Sequence, residues 1–368
     1  YLYDVLYNKV YGYPTFREYL TALGIDVRKD YRLEVDTGKV APYHVNRDHP
    51  LAMPLYKGED LRNFRGLADE PAGVKDRPPY VAYDQEKPLK GENKRLLEFW
   101  EVNERLWGIA FNRIPVFLNH PRNIRGACVY RDSQSKIAFT DKVWVIEFKD
   151  EDTAKSVACL MFSLPFSFFF NLVNSNMDVS KEILLTIRVP EGLRISPNYY
   201  NRLMTLSQRF KDTFGIEDIT EHLDLLWYEL KEGLDFNKLA RWDTLLKGMN
   251  TISLEDYLFR YGQRLSQLRG EKVGAYLKSW TFDTESAKKV IDLFVRKFED
   301  ERYTAIKDKR IMPEDPDAFL KQYHELEKAF SSLLTEWKNT LRELDLEVIK
   351  AYGLEGIQPE DLVIPLIK

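Results

Sequence analysis

Cysteine is nearly missing from this sequence. Cys128 and Cys159 are the two in 368 residues, too few for a disulfide framework or a cysteine-based zinc site. A reducing, cytoplasmic setting is therefore the expectation. Histidine is almost as sparse. His44, His49, His120, His222 and His324 are scattered, and no two stand at metal-ligand spacing on one helix, so no metal is expected. Long apolar runs are missing too. Spanning a bilayer takes roughly 18 to 20 apolar residues, and the nearest stretch, 157–173, is broken by Ser163, Pro165, Ser167 and Asn171. It reads as a buried element, and no membrane partner is expected.

Several catalytic signatures are absent as well. There is no glycine-rich strand-to-helix loop of the kind that lets a backbone approach S-adenosylmethionine, no phosphate-binding GxxxxGK[ST] loop, no Gly-x-Ser-x-Gly elbow and no His-Glu-x-x-His pair. The Asn/Asp-Pro-Pro-aromatic loop that grips a flipped adenine has one near miss, Arg77-Pro78-Pro79-Tyr80. A cation there replaces the acceptor that the exocyclic amine requires, so the prolines read as a rigid turn. A metal-dependent nuclease needs carboxylates and a Glu-x-Lys strand. Glu147 and Lys149 in VIEFK supply a fragment of that pattern, with Asp132 and Asp141 as the nearest candidate carboxylates.

What the chain does have is packing material. Hydrophobic residues make up 44% and aromatic residues 13%, enough for two domains, possibly three, each with its own core. The 54 basic and 58 acidic residues give a net charge of -4. That excludes a uniformly basic coat but not a local basic face. The chain opens at Tyr1 on YLYDVLYNKVYGY, which suggests the middle of a longer protein or a preceding N-terminal part.

Thr15 is placed to cap a helix over REYLTAL, with Gly24 as its stop. From Tyr31 to Asp84, short runs broken by glycine and proline predict brief strands and turns. Apolar spacing predicts a helix from Asn93 to Gly108, and IPVFL, ACVYRD and KIAFTDKVWVIEF predict strands. The run beginning at Asp152 returns to helix, which Pro165 should end or kink. Ser180 to Ile187 reads as a turn entering a short helix or strand. Beyond Pro197 the pattern is almost wholly helical. One of these segments is SLEDYLFRYGQRLSQLR, and the last runs unbroken from Asp317 to Tyr352, a length that points to a spacer or interaction arm.

Charge is concentrated locally. Between Arg105 and Lys142 there are seven basic residues, Arg105, Arg113, Arg122, Arg125, Arg131, Lys136 and Lys142, against Asp132 and Asp141. The interior, NHPRNIRGACVYRDSQSK, carries the side-chain types that read bases: arginine on guanine, asparagine or glutamine on adenine. This makes Asn119, His120, Arg122, Asn123, Arg125 and Arg131 candidate base readers. Lys57, Arg62, Arg65, Arg113 and Lys136 are candidate phosphate contacts. A wider set, Lys57, Arg62, Arg65, Lys75, Arg77, Lys87, Lys90, Lys94 and Arg95, is interleaved with acids, which suits contacts that position without specifying. By charge alone, an inert solvated loop explains these residues equally well.

The segment order adds a resemblance. MPLYKGEDLRNF (Met53 to Phe64), the strand Tyr80 to Asp84, RIPVFLNHPRNIRGACVY, KIAFTDKVWVIEF, the run from Ala158 to Asn176, KEILLTIRVP (Lys181 to Pro190) and LDLEVIKAYGLE (Leu344 to Glu355) follow one another in a familiar order. Together they resemble the C-terminal specificity half of Eco57I-like, type IIG-like N6-adenine DNA methyltransferases of restriction-modification or phage-defence systems. Phe162-Ser163-Leu164-Pro165 departs from the family's usual Asn-Ser within the helix, Arg188 stands where an apolar residue is usual, and 198–318 match nothing in the family.

The element pattern and the resemblance together predict an α+β chain in three parts. A helical connector at 1–30 leads into a small β-rich target-recognition domain at 31–197, and a mostly α-helical C-terminal domain with a long final helix follows at 198–368. The resemblance implies double-stranded DNA and a methyltransferase domain or subunit as partners. S-adenosylmethionine would be bound by that associated catalytic part and no cofactor by this chain, in the cytoplasm of a bacterium or archaeon. Two rivals stay open: a structural or assembly subunit, and the metal-dependent nuclease using Glu147 and Lys149.

Overall fold

The computed structural model describes residues 6, 8–25, 27, 34–74, 76–102, 104–113, 120–174, 179–266 and 272–363. The fold is α+β. The chain divides into two compact units: Tyr1–Ser207, Leu225–Tyr228 and Trp337–Lys368 form the first, and Gln208–Asp224 with Glu229–Glu336 form the second. The boundary expected at 197/198 therefore falls later, and the last stretch of chain rejoins the first unit. Nor is the N-terminal helix a separate connector. Phe16 and Arg17 donate their amides to the carbonyls of Ile187 and Leu185 at 2.6 and 3.1 Å. That helix, Phe16–Ala22, begins at a capping box in which Thr15 and Glu18 satisfy each other's amides. It gives way to Gly24 at φ +80°, a left-handed position that glycine takes without steric cost.

The first unit is built around an antiparallel sheet of Leu106–Asn112, Gly126–Arg131 and Val143–Phe148, with the first strand in the middle. The helix expected to reach Gly108 stops earlier, at Trp100. Leu106 and Trp107 open the central strand instead, where they pair with Arg131 and Tyr130. Their spacing continues the helical pattern by coincidence, and cross-strand pairing overrides it. IPVFL lies outside the described residues. A second, mixed sheet runs in the order Glu34–Val35, Ala138–Thr140, Met53–Tyr56, Tyr80–Val81, His44–Val45. Both flank partners of Ala138–Thr140 are parallel to it.

Glu151–Phe162 packs on the central sheet. Its N-cap, Asp150, accepts from the Thr153 amide at 2.7 Å. Ser163 ends this helix and caps the next, Leu164–Val173, whose first turn holds Pro165. A proline lacks the amide that a continuous helix would need here, and the two helices meet at 59°. Residues 157–170 are buried throughout. No single helix among the described residues is long and apolar enough to cross a membrane.

In the second unit, Phe210, Phe214, Phe236, Tyr323 and Phe330 form one aromatic cluster. Trp242, Phe294, Phe298 and Phe319 form another. The expected helix SLEDYLFRYGQRLSQLR is helical over Leu254–Tyr261, then becomes the strand Gly262–Arg264 paired with Trp280–Phe282. A second short pair joins Thr251–Ser253 to Arg310–Pro313.

The final helix, Pro316–Ala351, does not behave as a solvated arm. It buries Phe319, Tyr323, Phe330 and Leu333 in its earlier turns and Trp337, Leu341, Leu344 and Val348 in its later ones. It ends at Gly353, φ +64°, where the Leu354 amide reaches back to the Ile349 carbonyl at 3.1 Å.

Candidate nucleic-acid interface

Residues 120–125 lead into the strand Gly126–Arg131, and the structure turns the cations of this stretch inward. Asn119 lies outside the described residues. Arg122 is fully buried. Its guanidinium forms a two-pronged ion pair with Asp345 and donates to the Phe162 carbonyl at 3.2 Å and the Leu226 carbonyl at 3.0 Å. The ring faces of Trp227 and Tyr228 lie 5.3 and 5.8 Å from it, close enough for cation–π attraction. Asp345 also accepts the Leu164 amide at 2.8 Å and the Tyr228 hydroxyl. Burial, and secondarily the Asp345 carboxylate, push the Tyr228 phenol well above its usual range. Every strong lone-pair direction of this carboxylate is engaged, as a buried charge requires.

The neighbours of Arg122 are held similarly. The Arg122 amide donates to His120 Nδ1 at 3.0 Å, and the His120 ring sits 6.0 Å from Trp227. Asn123 donates to Asn171 Oδ1. Arg125 lies over Trp227 at 5.4 Å, and its amide donates to Asn112 Oδ1 at 2.8 Å. Arg131 pairs with Glu147 at 2.5 Å. Burial pulls its guanidinium below the usual value, and Glu147 opposes that shift. All five described candidates are at most 8% exposed. The described candidate base readers are thus buried side chains with partners inside the protein, and neither the base-reading loop nor the inert solvated loop describes their position in this structure.

The phosphate candidates are half-buried and engaged. Lys57 pairs with Glu59. Arg62 donates to the Glu59 carbonyl at 2.5 Å. Arg65 faces Asp69 at 3.9 Å. Arg113 donates to the Asp141 carbonyl at 3.0 Å and lies over Trp144. Lys136 donates to the Val102 carbonyl beside Trp100, and burial lowers its ammonium from the usual value. The solvent-facing members of the wider basic set are Arg77, Lys87, Lys90, Lys94 and Arg95. Lys87 is paired with Asp84 at 2.8 Å and Lys94 with Glu98 at 3.7 Å. Lys75 lies outside the described residues.

The nuclease pattern does not assemble. Glu147 is tied to Arg131 across the central strand. Among the described residues, no three His, Cys, Asp or Glu side chains gather at metal-holding range.

Sequence reasoning missed the partners, Trp227, Tyr228 and Asp345. Trp227 is fully buried with φ +65°, a conformation rare for a bulky residue, and nothing local announces it. Comparison with known proteins returns no matching family model and no matching curated sequence.

Proposed function

We propose that the first unit is the DNA-recognition part of an adenine-N6 methyltransferase system, with S-adenosylmethionine and catalysis supplied by an associated domain or subunit in a bacterial or archaeal cytoplasm. One observation carries this reading. The segments that bear the family resemblance are far apart in the chain, yet they pack as one core. Phe64 meets Phe162 at 5.7 Å. The Leu164 amide caps on Asp345. Tyr352 stacks on Phe169 at 5.1 Å and donates its hydroxyl to the Arg188 carbonyl at 2.9 Å. A resemblance spread over separate segments gains weight when those segments are mutual neighbours.

On this reading Arg122, Arg125 and Arg131 hold the reading surface in shape from beneath. Contacts to phosphates fall to the exposed set Arg77, Lys87, Lys90, Lys94 and Arg95, and Asn119 remains a base-reading candidate. The associated enzyme flips the adenine.

The test is duplex binding by the full chain, followed from about 50 to about 200 mM salt, with selection from random duplexes. Affinity should fall linearly with salt on logarithmic axes, by roughly 0.9 per phosphate neutralised, and the selection should enrich one sequence. Absence of duplex binding at the lowest salt overturns the reading. An Arg122→Ala change is a poor probe, because it strands Asp345 in the core. A second reading, protein assembly, is favoured by Phe259 and Leu265, which are 89% and 67% exposed. Exposed apolar side chains mark contact sites where they join a contiguous patch.

A further inference from the structure

The second unit contains an open cleft of about 540 Å³ lined by Trp242, Leu246, Phe298 and Ile311, with Arg241, Lys297 and Arg310 as its cations and Asp243 as its carboxylate. That size is ordinary for a site holding a small organic group, and the lining is largely apolar. Three cations face one carboxylate in this lining. Two of the three cations are committed. Lys297 donates to the carbonyls of Asn237, Lys238 and Ala240 at 3.3, 2.7 and 2.8 Å, closing the end of the helix Phe236–Leu239. Arg241 pairs with Asp243 through two contacts at 3.2 and 2.8 Å. Arg310 is exposed at the edge of the strand Arg310–Pro313. Lys247 and Lys309, chain neighbours of the lining residues Leu246 and Arg310, are exposed as well.

The floor is aromatic and rigid. Trp242 is wedged against Phe294, Phe298 and Phe319 at 5.3 to 5.9 Å, and its indole nitrogen donates to the Ile311 carbonyl at 2.6 Å. Phe298 is only partly buried. An occupant that fits this lining offers an apolar body to Phe298, Leu246 and Ile311, and negative charge to the exposed guanidinium of Arg310, with Arg241 shared with Asp243. A nucleotide does both, with its base as the flat body and its phosphate as the anion, the combination used wherever single strands are held by stacking platforms under basic rims. The exposed Lys247 and Lys309, next in sequence to lining residues, extend the positive charge beyond the cleft and suit a strand better than one free phosphate.

We propose that this cleft holds an unstacked nucleotide of single-stranded DNA. The proposal rests on the second unit alone and does not require the first unit to read duplex.

The experiment uses the full chain with a labelled oligothymidine, the same length of blunt duplex, and thymidine monophosphate as competitor. Arg241→Glu with Arg310→Glu should weaken oligothymidine binding by about tenfold or more while changing duplex affinity by no more than about twofold, because both side chains are exposed and surface charge reversals at one site act locally. A photoreactive 4-thiothymidine in the strand should crosslink to the peptide containing Phe298 or to that containing Trp242. The proposal is overturned if the double variant binds oligothymidine as wild type does, if crosslinks map outside the cleft, or if the monophosphate competes as strongly as the oligonucleotide, which would make it a free-nucleotide site. Loss of duplex binding with oligothymidine binding intact would overturn only the recognition reading of the first unit.

Discussion

Arg122 and Arg310 are the same side chain in opposite circumstances. Arg122 has no exposed surface, an ion pair with Asp345, two carbonyl acceptors and two aromatic faces. Arg310 is exposed on the rim of an open cleft. A charge count treats them alike, and by that count the segment around Arg122 looks the better nucleic-acid reader. The difference teaches that a locally basic sequence can be a device for folding. A guanidinium presents donors in a rigid fork, and that fork can knit carbonyls and a carboxylate inside a core as readily as it grips a phosphate.

The sharpest way to break the comparison is to remove the partner of Arg122. Asp345→Ala should cost about 3–5 kcal/mol, because it leaves a buried guanidinium without a counter-charge, and the Leu164 amide and Tyr228 hydroxyl lose their acceptor as well. Replacing both partners, Arg122→Met with Asp345→Leu, should cost less than Asp345→Ala alone. It should not restore full stability, since the Phe162 carbonyl loses its charged donor, at about 1–3 kcal/mol. Urea unfolding of the three proteins checks this. A double variant less stable than Asp345→Ala would mean that Arg122 contributes chiefly through packing.

A second prediction asks whether the loop is fixed framework along its length. Gly126 closes it against the central strand, and a Cβ there would fall 2.0 Å from the Ala110 carbonyl oxygen and 2.8 Å from Phe111 Cα. Backbone cannot yield as a flexible side-chain tip can, so Gly126→Ala should destabilise by about 1–3 kcal/mol. A thermal midpoint unchanged from wild type would show that the loop rides loosely on the sheet, and Arg122 and Arg125 would then be free to turn outward.

Asp150 stands between the two extremes: it is exposed, yet it caps Glu151–Phe162. Hydrogen bonds from Thr153, side chain first and then amide, hold its carboxyl below the usual aspartate value of 3.8. A carboxyl lowered in the folded state contributes stability that is complete above its unfolded value and fades as pH falls through the folded one. Asp150→Ala should therefore cost about 0.5–2 kcal/mol at neutral pH. The gap from wild type should close as pH drops below 3.8. Chemical denaturation at both pH values reads this directly, and a gap that widens in acid would contradict the capping account.

Much of the local structure was legible because its causes are local. Thr15 ahead of REYLTAL, Gly24 after it and Pro165 inside a later apolar run are all short-range rules, and each marks a real boundary. Misreadings arose where two periods overlap. Leu106 and Trp107 extend a helical pattern while belonging to a strand, and the amphipathic stretch after Ser253 turns into a strand at Gly262. The candidate site was the least legible part. Arg122 meets an aspartate 223 positions away, and a single sequence holds no signal for that pairing. The LDLEVIKAYGLE segment was singled out, but its Asp345 had no assigned task until the fold gave it three donors.

The smallest expected effect closes the comparison from the other side. Arg310→Ala should change stability by no more than about 0.5 kcal/mol, the usual range for a surface substitution away from caps and buried pairs. Arg122→Ala should cost several times more, because it leaves the Asp345 charge buried with the Leu164 amide and the Tyr228 hydroxyl as its remaining donors. Measuring both in the same denaturant series is the direct comparison of one residue type in two settings. If Arg310→Ala costs more than about 1 kcal/mol, then Arg310 serves the fold of the strand Arg310–Pro313 as Arg122 serves the sheet, and a rim built of structural cations would have no charge to spare for a bound strand.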